Sequence, residues 1–297
     1  MLGRTSRESP AHAARAAHDA GWSGVAPGSP VVSAVADEST EMLDLGTTPQ
    51  ALATVASIDD LAAVVHVGHP EQPSPTLEQA LLAGDPTLLL TAAVPVEPRW
   101  VWVAPQGRGG GQVVVDEAGV RDCADVLRTM GVSPRLVPTA TSIEERAALA
   151  GDQGSLVVER SRVPAGWTEM AGSERLADVG PVWYGLLEAR RAWPRFEAPA
   201  QVWLAFGPSD DHRGSLRHTL ALLDEAGVDM QHLRSNPSAA GPHVFFTSFR
   251  CPDVAVLDAL VDELDGRSVA HRTLAVLPGG PSAVGPEALA PRWWTGA

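Results

Sequence analysis

The stretches QVWLAF (Gln201–Phe206), GSLRHTLALLDEAGVDMQHLRSNPS (Gly214–Ser238) and HVFFTSF (His243–Phe249) decide the fold of the C-terminal third. QVWLAF is a short apolar run that predicts a strand. Leu216, Leu220, Leu223 and Ala226 then recur at helical spacing and stop at Gly227, a residue suited to ending a helix. Val228–Leu233 and His243–Phe249 read as two more strands. Val254, Leu257, Leu260, Val261 and Leu264 give a second helical stripe, and Thr273–Leu277 a last strand. The order β-α-β-β-α-β is that of a ferredoxin-like module.

Upstream, Ser9–Ala20 begins with Ser-Pro and continues in helix formers, as expected of a capped first helix. Leu61–Val67 and Thr87–Val94 are apolar runs bounded by Asp, Gly and Pro, read as buried strands around a helix at Thr76–Leu82. Trp100–Ala104 and Gln112–Val115 flank the glycine-rich GRGGG (Gly107–Gly111), read as strand, flexible hairpin or hinge, and strand. That loop lacks the following Lys-Ser/Thr of a phosphate loop. A helix carrying Val120, Ala124 and Leu127, a strand at Arg135–Pro138, a helix at Ser142–Ala150 and a strand at Gly154–Val158 follow. Residues 160–200 show no clean period and are expected to be a return segment and linker. The alternation predicts an α/β body.

Among 297 residues, 22 are Lys or Arg against 36 Asp or Glu, a formal charge of −14, which argues against nucleic acid as a partner. Cys123 and Cys251 form no CxxC pattern, so neither a disulfide framework nor a thiolate zinc site is suggested. A reducing cytoplasm fits that usage. The opening MLGRTSRESPAHAARAAHDAGW has no apolar run behind its basic residues, and Leu88–Val96 is too short to span a membrane. No metal site and no cofactor are expected; His66 and His69 lack a third ligand nearby.

Gly214–Ser238 resembles the ACT domain that ends prephenate dehydratases. Gly214-Ser215-Leu216 stands at the family's Gly-Ala-Leu, Arg234-Ser235-Asn236-Pro237 at its Glu-Ser-Arg-Pro, and HVFF (His243–Phe246) at its Tyr-Val-Phe-Phe. The body is similar to the dehydratase itself. LGRTSRESPAHAA (Leu2–Ala14) matches the opening Leu-Gly-Pro-x-Gly-Thr-Phe-Ser/Thr with Ser9 at the final hydroxyl. Thr76-Leu77-Glu78 matches Thr-Leu-Asp, while Val67, Gly68 and His69 replace Glu-Asn-Ser. LVPTATSIEERAALA (Leu136–Ala150) matches the second-lobe strand, turn and helix, keeping Thr139, Thr141 and Ser142. Arg195-Phe196 corresponds to the end of Thr-Arg-Phe, with Pro194 in place of the threonine that carries the family's chemistry.

The resemblance implies a two-lobed, periplasmic-binding-protein-like α/β body with a central cleft, followed by an α+β ferredoxin-like ACT domain. The expected divisions are residues 1–198 for the body, 199–280 for the ACT domain and 281–297 for a tail. Within the body, lobe one covers about 1–95 plus 175–198 and lobe two about 96–174. It further implies decarboxylating dehydration of prephenate, a dianion, to phenylpyruvate. Ser9, His69 and Arg195 are the implied catalytic residues, with His66 a further proton-donor candidate. Thr76, Thr139, Thr141 and Ser142 are implied to bind substrate. An amino-acid effector, phenylalanine in the family, would lie on Gly214, Ser215, Leu216, Arg234, Ser235, Asn236 and Pro237, with ACT domains pairing into a homodimer or homotetramer.

Alternatives stand beside these assignments. Hydroxyl-bearing turns at helix N-termini cradle carboxylates, yet Ser142 with Glu145 is equally a capping box. Arg195 fits either a carboxylate clamp or a surface arginine. For the whole chain, a relative acting on another cyclohexadienyl acid, a non-catalytic amino-acid sensor and an unrelated α/β enzyme carrying only the ACT resemblance compete with the prephenate lyase.

Overall fold

The computed structural model describes residues 1–20, 22, 42–71, 73–105, 109–196, 198–207, 214–236 and 243–279. Pro237, Gly107 and Arg108 of the glycine-rich loop, and the tail from 281 onward, lie outside them. Two compact units are present. One comprises Met1–Gly68, Pro75–Leu88 and Val94–Ala189, and the other His69–Ser74, Leu89–Ala93 and Arg190–Ala297.

The first unit holds two sheets and is of α/β class. It opens with β1 (Leu2–Arg4), α1 (Pro10–Asp19), β2 (Leu43–Asp44), α2 (Thr48–Ser57), β3 (Ala62–Gly68) and α3 (Pro75–Ala83). Strands β2 and β3 flank β1 in parallel. Helix α1 follows Ser9, whose side chain accepts from the backbone N–H of His12, with Pro10 at the first helical position. Its alanines Ala13, Ala16 and Ala17 are fully buried, so the helix approaches β3 closely.

After β4 (Leu88–Val96) come β5 (Trp100–Pro105), β6 (Val113–Asp116), α4 (Glu117–Thr129), β7 (Arg135–Val137), α5 (Ile143–Ala150), β8 (Ser155–Glu159) and β9 (Trp167–Glu169). The second sheet has the order β7-β6-β8-β5-β9. Helix α4 covers one face, over Val113, Val115 and Val157, and α5 the other, over Val114, Leu156 and Val158. Strands β5 and β6 are therefore not a hairpin around GRGGG, because β8 lies between them.

Residues 160–200 are likewise more than a linker. They supply β9 and β10 (Val182–Ala189), which runs antiparallel along β3. The alternation was hard to see because Trp183 and Tyr184 are both buried beside a register shift.

The second unit contains β11 (Ala200–Gly207), α6 (Ser215–Glu225), β12 (Asp229–Asn236), β13 (Val244–Cys251), α7 (Val254–Gly266) and β14 (Ala270–Pro278). Its strands run antiparallel in the order β12-β13-β11-β14, the ferredoxin-like arrangement that the sequence predicts. From β4, Leu90 adds in parallel to Ala275. Val202, Leu204 and Phe206 of β11 meet Leu222 and Leu223 of α6 and Leu257, Leu260 and Leu264 of α7 in one core. Across the opposite face runs the segment His69–Ser74. Trp203 Nε1 donates to Pro70 O at 2.6 Å, Ser248 Oγ to Glu71 O, and Arg234 Nη2 to Pro73 O at 3.5 Å.

Leu257 is fully buried at the centre of that core. Leu257→Ala is expected to destabilise the protein by about 2–5 kcal/mol, because the packed helices cannot close the cavity. Urea unfolding of the variant against the parent checks it, and exposed Met230→Ala on β12 should stay within about 0.5 kcal/mol.

Candidate functional site

In the first unit, ionisable side chains from both sheets meet in the interior. Glu8 comes from the loop between β1 and α1, His12 and Arg15 from α1, Arg121 and Asp122 from α4, and Glu159 from the end of β8. Arg121 Nη1 donates to Glu8 Oε2 and its Nε to Asp122 Oδ1, both at 2.8 Å, while Nη2 reaches the Tyr184 hydroxyl at 3.3 Å. Arg15 Nη2 donates to Glu159 Oε1 at 2.8 Å and its Nη1 to the carbonyl of Glu97 at 2.9 Å. Trp100 Nε1 adds a donor to Asp122 Oδ2 at 3.2 Å.

His12 sits between the two halves. Its Nδ1 lies 3.6 Å from Asp122 Oδ2 and its Nε2 3.3 Å from Glu159 Oε1, ion-pair distances whose angles fall short of hydrogen bonds. The ring is fully buried and stands edge-on to Trp100. Against the carboxylates of Glu8, Asp122 and Glu159 stand the guanidiniums of Arg15 and Arg121, so the group carries one net negative charge that an imidazolium would cancel. Burial opposes that charge on His12, but the flanking carboxylates outweigh it and raise the pKa above 6.5. Burial likewise opposes ionisation of Asp122, yet His12 and Arg121 hold it down at about 2. His66 on β3, edge-on to Tyr184, goes the other way: burial and the Arg121 charge push it down to about 4.

A second group lies around the hydroxyl-bearing turn after β7. Arg146 of α5 is buried and pairs with Asp116, and it donates to the carbonyls of Thr139 at 2.6 Å and Thr141 at 2.9 Å. The turn's amides are used locally, Thr141 N–H by Pro138 O and Ser142 N–H by Glu145 Oε2. Ser142 is thus a capping-box residue. Thr139 Oγ1 donates to Arg7 O at 3.4 Å, seating the turn on the loop that carries Arg4, Ser6, Arg7 and Ser9. Nearby is Arg162, half-buried and without an ion pair among the described residues. Burial and the charges of Arg146 and Arg4 lower its pKa, with Asp116 and Glu144 acting against them.

Of the residues singled out from sequence, Ser9 and Thr139 are therefore brought to one loop, with Thr141 and Ser142 beside it. Thr76 is exposed in the first turn of α3. His69 belongs to the second unit, where its Nδ1 accepts from the N–H of Glu71 at 3.2 Å. Arg195 is exposed on the loop leading into β11. Gly214 caps α6 with φ of 99°, a conformation that favours glycine, followed by buried Ser215 and half-buried Leu216. Arg234, Ser235 and Asn236 lie along β12. Glu8, Arg15, Arg121, Asp122, Glu159 and Arg162 were missed. One signal was available: His12 and Arg15, three apart, occupy a helix face otherwise made of alanine.

No protein-family model matches the chain, and no curated protein matches it. Solved structures do. Over 97% of this chain and 94% of the other, it is similar to prephenate dehydratase in complex with L-Phe from Arthrobacter aurescens, with a TM-score of 0.65 at 19% identity. The prephenate dehydratase of Staphylococcus aureus subsp. aureus Mu50 aligns with a TM-score of 0.59 at 11% identity, over 80% of this chain and 89% of that one. GqqA, a novel type of quorum-quenching acylase, aligns with a TM-score of 0.57 at 15% identity, over 98% and 100%. The fold is thus that of prephenate dehydratases. No helix among the described residues is long and apolar enough to cross a membrane.

The buried histidines fix a pH dependence. His12 has a raised folded pKa, so its contribution is complete below about pH 6.5 and is lost as pH rises through that higher value. His66 has a depressed one, so stability falls as pH drops from 6.5 towards 4, and His69 and His232 act in the same direction. Thermal unfolding followed against pH should peak near pH 6.5, and His12→Phe should flatten the alkaline side.

Proposed function

We propose that the chain is a lyase of the prephenate dehydratase kind, converting prephenate to phenylpyruvate, carbon dioxide and water. The observation that carries this reading is Arg162, a half-buried cation with no carboxylate at ion-pair distance among the described residues, close to Arg146 and Arg4, with Asp116 and Glu144 acting only from further off. A site built this way is incomplete without an anion. Arg4 at the end of β1 is close to it, and the turn bearing Thr139 meets the loop bearing Arg7 and Ser9 through Thr139 Oγ1. The fold shared with prephenate dehydratases is consistent with a dianionic substrate, though fold alone fixes no activity.

In this mechanism Arg162 holds a carboxylate, with Arg4, itself paired with Asp44 at 3.5 Å, adding positive charge beside it. The electron pair of the bond to the ring carboxylate moves into the ring as carbon dioxide departs. The 4-hydroxyl takes a proton and leaves as water, and aromaticity drives the step. Ser9 is the proposed proton donor: its oxygen already accepts from His12 N–H, which leaves its own proton to give, and the α1 N-terminus stabilises the oxyanion formed. No metal or organic cofactor takes part.

In the second unit, the βαββαβ module is read as an ACT domain that binds an amino acid, phenylalanine in the first instance. Gly214, Ser215 and Leu216 at the start of α6 and Ser235 and Asn236 on β12 would form the effector site, with modules pairing in a homodimer or homotetramer. A cytoplasmic enzyme of aromatic amino-acid synthesis fits this reading. A second reading is favoured by one observation: Pro194 stands at the threonine position and Arg195 is solvent-exposed. It is an amino-acid sensor of the same fold without turnover.

Prephenate turnover, followed by the ultraviolet absorbance of phenylpyruvate with and without phenylalanine, separates the two. Absence of product at high enzyme concentration, with calorimetric binding of an amino acid, selects the sensor. For the lyase, Arg162→Met is expected to raise KM about tenfold or more with kcat little changed, because it removes a charged contact to substrate. Relief of cation crowding should leave its Tm equal to the parent's or above it. Ser9→Ala should lower kcat by about 10²–10⁴, with a cost near 1 kcal/mol in stability from the lost cap.

A further inference from the structure

Glu8 immediately precedes Ser9, and three segments converge on its buried carboxylate. Oε1 accepts from the N–H of His66 at 3.2 Å, at the end of β3, and from the Thr5 hydroxyl at 3.3 Å within its own loop. Oε2 accepts from Arg121 Nη1 at 2.8 Å, on α4. Arg121 is itself fixed by Asp122 and Tyr184. The loop between β1 and α1 has few other holds: Ser6 N–H to Gly46 O, Glu8 N–H to Thr5 O, Thr139 Oγ1 to Arg7 O, and a long, largely exposed ion pair of Arg7 with Glu117 at 3.9 Å.

We propose that Glu8 and Arg121 are positioning residues, the pair by which α4 holds the Thr5–Ser9 loop in the conformation that presents Ser9 and the neighbouring arginines. The proposal rests on the lyase reading for its kinetic consequence only; the ordering of the loop stands apart from it. Arg121 is the only described cation paired with Glu8, and its side chain is three-quarters buried. Removing the Glu8 charge leaves Arg121 with Asp122 alone and releases the buried charged contact between the loop and α4, so that only the largely exposed Arg7–Glu117 pair at 3.9 Å still ties them by charge. A hydrogen bond to an ionised partner is stronger than a neutral one, so the ordering depends on the charge and not only on shape.

Glu8→Gln keeps an acceptor for His66 N–H and Thr5 while removing the charge. Amide hydrogen exchange of the full chain is the primary readout. Protection at residues 5–9 is expected to fall about tenfold, with β5, β6 and β8 unchanged. In turnover the same variant should lose kcat about tenfold or more with KM moved far less, since the reacting geometry is disturbed rather than the accessible cations. Arg121→Lys, which keeps a cation for Glu8 and Asp122, is expected to hold most of the protection at residues 5–9 that Glu8→Gln loses. Unchanged protection at residues 5–9, or loss spread evenly over the first unit, overturns the proposal. So does an equal loss of protection at residues 5–9 in Arg121→Lys and Glu8→Gln. A wild-type chain without turnover refutes the lyase reading and leaves the exchange experiment to decide this one.

Discussion

The first unit depends on a run of buried charges leading from Glu8 through Arg121, Asp122, His12 and Glu159 to Arg15. Each of these side chains alone would be costly to remove from water. Together they reduce the cost by pairing, and the pairing is directional: Glu8, His12 and Arg15 come from the first sheet's side, and Arg121, Asp122 and Glu159 from the second. The two sheets of this unit are therefore joined by charge matching, where apolar packing would tolerate sliding. Buried ion pairs are weak as net stabilisers, but a mismatch is severely penalised. The network consequently specifies one arrangement of α1 against α4 and β8.

That constraint reaches the loop that opens α1. Ser9 caps the helix, Glu8 reaches Arg121, and Thr139 from the far turn donates to Arg7. Arg146 supports the same turn from beneath through the Thr139 and Thr141 carbonyls and is itself neutralised by Asp116. The cations left to face an anion are those outside these closed pairs, Arg162 foremost. Structural arginines and a binding arginine can thus be told apart by their partners: a paired, buried guanidinium is already committed, whereas one crowded by other cations is not.

The legibility of the sequence followed from the range of the interactions. The ferredoxin-like module could be read because its core is made by local periodicity, with Leu257, Leu260 and Leu264 marking one helix face and Val202, Leu204 and Phe206 one strand face. The capping box of Ser142 and Glu145 is equally local. Strand β10 escaped because its edges are set by pairing with β3, some 120 residues away in the chain, and by a register shift that breaks alternation. The charge network escaped for the same reason. Asp122 and Glu159 look like ordinary acidic residues until folding brings a histidine between them.

Position 8 joins these strands of argument. Glu8 puts a carboxylate in the interior, where an apolar side chain would need only volume. A carboxylate there needs a cation and amide donors, and Arg121, His66 N–H and the Thr5 hydroxyl supply them. Arg121 in turn needs Asp122, which draws in His12 and then Glu159. A single buried carboxylate thus demands a series of matching charges across both sheets, because no member can be removed without exposing the next one unpaired. These residues are mutually dependent, and they hold the Ser9 loop by electrostatics where an apolar contact would hold it by packing.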